Sequence, residues 1–271
     1  MIFKSFFNRW KFNKISRDIK SIKIQGARNI AKSALEAYSL FPSKSSKNKL
    51  VSLRPTEPML QRVLEEAEKG NYSIALSHFD KAQNKINIEV NKLIKEGDVI
   101  FTHCHSTNVI NALIYAKKKG KHFEVYNTET RPLFQGRKTS KELSEANIKV
   151  TQFVDSAFDI ALSNSQGTKK VSKVFLGADA ITKKGVINKV GSGAIAKLAD
   201  LEKIPVYIIA DSWKFTNKNL PLEQRDLNEV WNNAPKKVKR KNPAFEFIEK
   251  KNIHSIISEL GKTTYSNFLK K

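Results

Sequence analysis

From Asp98 onward short β-rich runs and helical stretches take turns along the chain, and this alternation restricts the fold more than any other feature of the sequence. The runs VIFT, HFEVYN, IKVTQFV, KVFLG and PVYIIA are separated by stretches of helical character over 108–117, 139–145, 157–162 and 192–201. Helices of this length carry the chain back across a sheet, so the strands are expected to pair in parallel through right-handed crossovers. The expected class is therefore α/β, with a doubly wound, Rossmann-like parallel sheet domain over 96–271.

The first third has a different period. Ile24, Ala27, Ile30, Ala31, Ala34, Leu35 and Tyr38 recur at three and four, which makes one face of a helix. Further helices fit 57–69 and 73–95, the Ser- and Lys-rich segment FPSKSSKNK reads as a linker, and 1–95 is expected to be an all-helical N-terminal domain. The opening MIFKSFFNRWKFNK never runs apolar for the length of a signal core or a membrane span. It reads as a terminal helix packing its aromatics on the body, with no membrane partner.

A net charge of +23 with a pI near 9.9 favours anionic partners. Lysine is scattered along the whole chain, and the one dense run, Lys236 to Lys241, reads as a solvated loop, so nucleic acid is expected to bind only weakly and non-specifically. The single cysteine excludes an internal disulfide and, with no further Cys or nearby carboxylates, a zinc set. A reducing, cytoplasmic location and no metal are the natural expectations.

In open parallel sheets ligands bind beyond the carboxyl ends of the strands. The residues that follow each strand here are polar: His103-Cys104-His105-Ser106 after VIFT, Thr128-Glu129-Thr130-Arg131 after HFEVYN, Asp155-Ser156 after VTQFV, Asp179 after KVFLG, and Asp211-Ser212 with Lys214 after YIIA. Any one of these fits a cap or a solvated loop; five on one edge point to a site. Cys104 precedes a helix start, where unpaired N–H groups are expected to stabilise a thiolate and a bound anion. Asp179 follows an apolar strand, a setting that raises a carboxyl's proton affinity and suits a general acid. Asn188 and Lys189 stand just before the glycine-rich helix start Gly191-Ser192-Gly193, a phosphate cradle without the spacing of a Walker loop or a GxGxxG fingerprint.

The segments THCHS, TETRPLFQG, DSA, GADAI, INKVGSGAIA and NPAFEFI are similar, in that order, to the superfamily of archaeal ribose-1,5-bisphosphate isomerases, methylthioribose-1-phosphate isomerases and the α, β and δ regulatory subunits of translation initiation factor 2B. Cys104 and Asp179 match the isomerases' catalytic pair, and Thr128 to Pro132 resembles the ribose-bisphosphate branch. The resemblance implies ligand contacts from Gln25, Gly26, Ala27, Arg28, Arg54, Ser106, Asn188, Lys189 and Lys214. Gln25 stands where isomerase members carry Arg, and Arg28 is expected to reach the same phosphate instead. The implied activity is cofactor-independent aldose–ketose isomerisation of a sugar bisphosphate in nucleotide (AMP) degradation, by a homodimer or an assembly of dimers. The alternatives are a regulatory subunit that binds sugar phosphates or nucleotides without turnover, and a methylthioribose-1-phosphate isomerase.

Overall fold

The computed structural model describes the backbone of residues 2–271 and the side chains from Phe6 onward. Helices come first: α1 (Ile2–Lys20), α2 (Ala27–Leu40), α3 (Lys44–Leu53), α4 (Pro58–Glu68) and α5 (Tyr72–Leu93). Then follow β1 (Asp98–Thr102), α6 (Thr107–Lys118), β2 (Phe123–Thr128), α7 (Gln135–Glu145), β3 (Lys149–Phe153), α8 (Phe158–Leu162), β4 (Lys173–Leu176), β5 (Ala180–Ile181), β6 (Gly185–Lys189), α9 (Ser192–Leu201), β7 (Val206–Ile209), β8 (Phe245–Glu249), β9 (Ser255–Ser258), β10 (Gly261–Thr263) and α10 (Tyr265–Phe268).

The main sheet has the order β10-β9-β7-β4-β1-β2-β3, parallel throughout except for β10, which pairs antiparallel with β9. β1 and β4 are buried along their whole length, as expected of strands covered on both faces; their centres, Val99-Ile100-Phe101 and Val174-Phe175-Leu176, are apolar without alternation for that reason, and Asp98 and Lys173 at their starts pair with each other. Helices α5, α6 and α7 cover one face through Ile86, Val90, Leu113 and Leu143; α8, α9 and α10 cover the other through Leu162, Ile195, Ala199 and Phe268. The chain leaves β1 towards β2 and later returns to β4 on the opposite side of β1. The crevice at the carboxyl ends of β1 and β4 is therefore the topological switch point, where a doubly wound sheet opens to a ligand.

The N-terminal helices enclose their own core, with Ile19, Ile30, Leu35, Leu60, Leu64 and Phe79 buried in it. Helix α5 belongs to both cores: Ala75 and Phe79 face the helices, whereas Ile86 and Val90, with Ile94 just past its end, lie on the sheet. Any ligand contact supplied by the helical part is thus held against the sheet by one continuous helix.

Three sequence expectations need correction. The segment read as a linker forms α3, because Ser43 accepts a hydrogen bond from the Ser46 N–H at 3.1 Å and caps it, while Leu50 anchors it to the core. The helix expected from Ile24 begins only at Ala27, since Gly26 takes a positive φ of 83°. Of the N-terminal aromatics, Phe12 is buried, but Phe6, Phe7 and Trp10 stand 73%, 58% and 53% exposed; the side chain of Phe3 lies outside the described residues. The basic run from Lys236 is exposed as expected, with only Arg240 tied back, to Asn228 and to the Trp231 carbonyl. Among the described residues no helix is long and apolar enough to cross a membrane.

Candidate active site

One cavity opens at the switch point, and it is lined by all eleven residues to which the resemblance gives a catalytic or ligand-binding role: Gln25, Gly26, Ala27, Arg28, Arg54, Cys104, Ser106, Asp179, Asn188, Lys189 and Lys214; of the other strand-end residues, those at 128–131, 155–156 and 211–212 do not line it. Each reaches it by a different local device. Cys104 follows β1 in the left-handed region, at φ 67°. Its N–H donates to Thr130 Oγ1 at 3.0 Å and its carbonyl accepts from Thr139 Oγ1 at 2.7 Å, so the loop after β2 and helix α7 together hold a backbone that costs a side-chain-bearing residue about 1 to 3 kcal/mol. Thr130 is fixed in turn by Asp155, whose carboxylate accepts from the Thr130 N–H at 2.7 Å and from the Arg131 N–H at 2.5 Å. This accounts for the polar residues after β2 and β3: they brace the cysteine loop.

The histidines on either side of Cys104 are structural. His103 donates from Nε2 to the Val190 carbonyl at 2.8 Å, which leaves Nδ1 to accept from the Thr128 hydroxyl. Burial holds its pKa below the usual histidine value, so it stays neutral. His105 Nδ1 lies 3.1 Å from Thr139 Oγ1; with that hydroxyl's proton given to the Cys104 carbonyl, the ring donates, and burial lowers its pKa to about 4. Gly177, at the end of β4, is needed for close approach: a Cβ there would stand 2.5 Å from Ser106 Oγ.

The thiol behaves differently from the sequence expectation. Ser106 is the cap residue of α6, so Cys104 lies upstream of the helix's unpaired N–H groups, and desolvation prevails: the thiol pKa is raised to about 11. Lys189 is the largest opposing influence. Asp179 is raised as well, by burial first, with Lys214, Lys189 and Arg54 pulling the other way. The two proposed acid–base groups thus share a set of cations, and burial shifts both towards their protonated forms.

Lys189 ends β6, a strand of a small antiparallel sheet of order β5-β6-β8 that the sequence reading did not foresee; the segment was expected only as a cradle before a helix. Its ammonium sits 5.2 Å from the Phe245 ring on β8, and neither Lys189 nor Lys214 has a carboxylate within ion-pair distance among the described residues. Asn188 donates to Ser192 Oγ at 2.9 Å, locking β6 to the start of α9.

Lys214 lies in the short helical turn Ser212–Lys214, and that turn is clamped from three sides. Asp211 accepts from the Trp213 N–H at 2.9 Å, Glu259 accepts from the Ser212 N–H at 3.0 Å, and His78 on α5 meets Asp211 at 2.9 Å while stacking on Trp213 at 3.6 Å. His78, Asp211 and Glu259 are close enough together to hold a metal ion, but their oxygens are already engaged as this clamp. It presents Lys214 Nζ to the Ala178 carbonyl at 2.6 Å, next to Asp179.

Two of the expected phosphate ligands are occupied by acidic partners. Arg28 donates to Asp80 at 2.6 Å, and Arg54 pairs with Glu223 at 3.1 Å and Glu57 at 3.4 Å. Sequence reasoning passed over Glu57, Glu223, Arg225, Gln135 and Lys138; all but Glu223 line the cavity. Only Glu57 carried a signal, its place directly after Arg54-Pro55-Thr56.

Glu57 is buried beside Arg54 with Oε2 unpaired, and burial, then Asp179, raise its pKa from 4.5 to about 8, against the pull of Arg54 and Lys214. Between those two values the folded chain holds a proton that the unfolded chain has released, so this group's contribution to stability falls as pH rises through the window and is fully unfavourable above about 8. Glu57→Gln is therefore expected to stabilise the fold by an amount on the order of a few kcal/mol near pH 8, shrinking towards zero as pH falls to 4.5. Urea midpoints of both proteins across that range test it; a difference that does not change with pH removes the buried acid as its cause.

The model of the initiation factor 2 subunit family matches residues 23–265. A ribose 1,5-bisphosphate isomerase of Archaeoglobus fulgidus is 34% identical, covering 90% of this chain and 86% of its own length. A 5-deoxyribose 1-phosphate isomerase of Clostridium botulinum is 31% identical over 96% of this chain and 74% of its own length. Among solved structures, a translation initiation factor eIF-2B of Pyrococcus horikoshii superposes with a TM-score of 0.82 at 26% identity, covering 93% of this chain and 96% of that one.

Proposed function

Because the chain belongs to the initiation factor 2 subunit family, we propose that it is an aldose–ketose isomerase that converts ribose 1,5-bisphosphate to ribulose 1,5-bisphosphate, a step in the breakdown of nucleotides such as AMP. The observation that carries this reading is the meeting of Cys104 and Asp179 in one cavity with Lys189, Lys214 and Arg54. A regulatory pocket needs cations for its anion; it has no use for a thiol and a carboxyl that line the same cavity and are both shifted towards their protonated forms by burial.

The reaction needs only proton transfers. Asp179 gives its proton to the ring oxygen as the C1–O4 bond breaks and O4 keeps the electron pair. Cys104, as thiolate, takes the proton from C2, leaving an enediol-like C1=C2 intermediate. The thiol then returns a proton to C1 while the Asp179 carboxylate takes the C2 hydroxyl proton, which forms the C2 ketone and restores both groups. Lys189 and Lys214, poised beside the pair, stabilise the negative charge that develops on the oxygens, and the buried strand ends keep water from the intermediate.

Purified protein incubated with α-ribose 1,5-bisphosphate is expected to form ribulose 1,5-bisphosphate. Two anchored phosphates fix the C1–C2 bond, so kcat/KM should exceed that for ribose 5-phosphate, methylthioribose 1-phosphate and 5-deoxyribose 1-phosphate by about 10²-fold or more. Equal rates on the monophosphates would overturn the bisphosphate assignment, and no rate on any of them would favour a binding subunit. The resemblance also supports self-association through the Rossmann-like half; sedimentation at micromolar concentration is expected to give a dimer or larger, and a lone 30.8 kDa species would contradict it.

A further inference from the structure

Arg225 lies in the long connection between β7 and β8, pinned beside the start of β8: its N–H donates to the Asn242 carbonyl and the Ala244 N–H donates to the Glu223 carbonyl, both at 2.9 Å. The side chain turns inward, lines the cavity and is only 7% exposed. Its Nε stands 2.7 Å from Glu223 Oε1 without aligning as a hydrogen bond, and its Nη1 is buried with no partner. Across the same carboxylate, Arg54 Nη2 donates to Glu223 Oε2 at 3.1 Å while Arg54 Nε is likewise buried and unpartnered. One carboxylate thus spans two desolvated guanidiniums and leaves N–H groups of each unmet, a costly arrangement unless another acceptor arrives.

We propose that Arg54 and Arg225 together form the seat of one substrate phosphate, and that Glu223 is the internal carboxylate that holds this seat in the empty protein and yields it to the incoming phosphate. The proposal rests on the reading of the ligand as a sugar bisphosphate. A phosphomonoester brings roughly twice the charge of a carboxylate and an additional acceptor oxygen, which suits two planar guanidinium forks better than Glu223 does. Glu223 is 20% exposed, at the rim, so its side chain can turn to water when displaced. Arg28, by contrast, is held by the exposed Asp80, and Lys189 and Lys214 stand close to the reacting pair.

The test is calorimetric binding of inorganic phosphate and of ribose 1,5-bisphosphate, with isomerase rates alongside, for the unaltered protein, Arg225→Met, Arg225→Lys and Glu223→Gln. Arg225→Met is expected to weaken the bisphosphate by about 10²-fold and to bring its kcat/KM close to that of the monophosphates, with Arg225→Lys recovering part of the loss. Glu223→Gln removes the competing charge and is expected to tighten both ligands by about tenfold. Unchanged binding in Arg225→Met, weaker binding in Glu223→Gln, or no binding of either ligand by the unaltered protein would each overturn the seat; should Arg225→Met fail to fold, the Glu223→Gln result decides. Binding of the bisphosphate without turnover would instead sink the isomerase reading and leave the seat standing.

Discussion

Replacing Cys104 by serine is expected to abolish turnover, a loss on the order of 10³ to 10⁴ in kcat, while ribose 1,5-bisphosphate still binds within a few-fold of the normal affinity. The oxygen keeps the shape and the hydrogen-bonding capacity of the sulfur but is a far weaker acid, so the base disappears and the cavity does not. Backbone geometry at this position is held by Thr130 and Thr139 through main-chain atoms, which a Ser side chain leaves undisturbed. Because the chain has one cysteine, the thiol's own titration can be read directly by alkylation. With a pKa of about 11, the rate of reaction with iodoacetamide should rise close to tenfold for each pH unit from about 7 to about 10. A Ser variant with most of the original rate would remove Cys104 from the role of base; alkylation already at its plateau near neutral pH would show that the thiol is activated in the empty protein after all.

Much of this arrangement was legible from the order of elements, because the strand-end rule needs only the positions of strands. It drew attention to Cys104, Asp179 and Lys214 together, although they are far apart in the chain. What it could not reach was set by long-range contacts. Arg225 sits in a connection with little regular structure, and only its pairing with the 242–244 segment turns it inward. The sheet formed by β5, β6 and β8 joins strands separated by more than fifty residues, and its two-residue β5 has no period to detect. The thiol's shift has the opposite sign to the expectation for a related reason: a helix start can be read locally, whereas the desolvation that outweighs it depends on residues from separate segments that line the same cavity. Helix α3 escaped notice because serine and lysine are read as linker residues until Ser43 is seen to cap and Leu50 to anchor them.

Asp179→Asn should lower kcat by about 10² to 10⁴ while leaving the fold at least as stable as before. Asparagine has nearly the volume of the protonated carboxyl and its neutrality, and burial already biases Asp179 towards that neutral form. A purely structural Asp179 would therefore be replaced at little cost, whereas a proton donor cannot be. The two roles also separate in the pH profile. In the proposed mechanism activity requires Asp179 protonated and Cys104 ionised, so kcat/KM should be bell-shaped, with limbs that belong to the coupled pair rather than to either residue alone. Without the carboxyl the alkaline limb that Asp179 sets has no cause, and the small residual rate of Asp179→Asn should keep climbing past the pH at which the unaltered rate falls, the thiol ionising lower than before because Asp179 is one of the groups that raise it. A variant that retains the bell, or one whose rate is unchanged, would take the proton donor's role away from Asp179 and leave Lys214 and Lys189, which face the same cavity, as the groups to examine next.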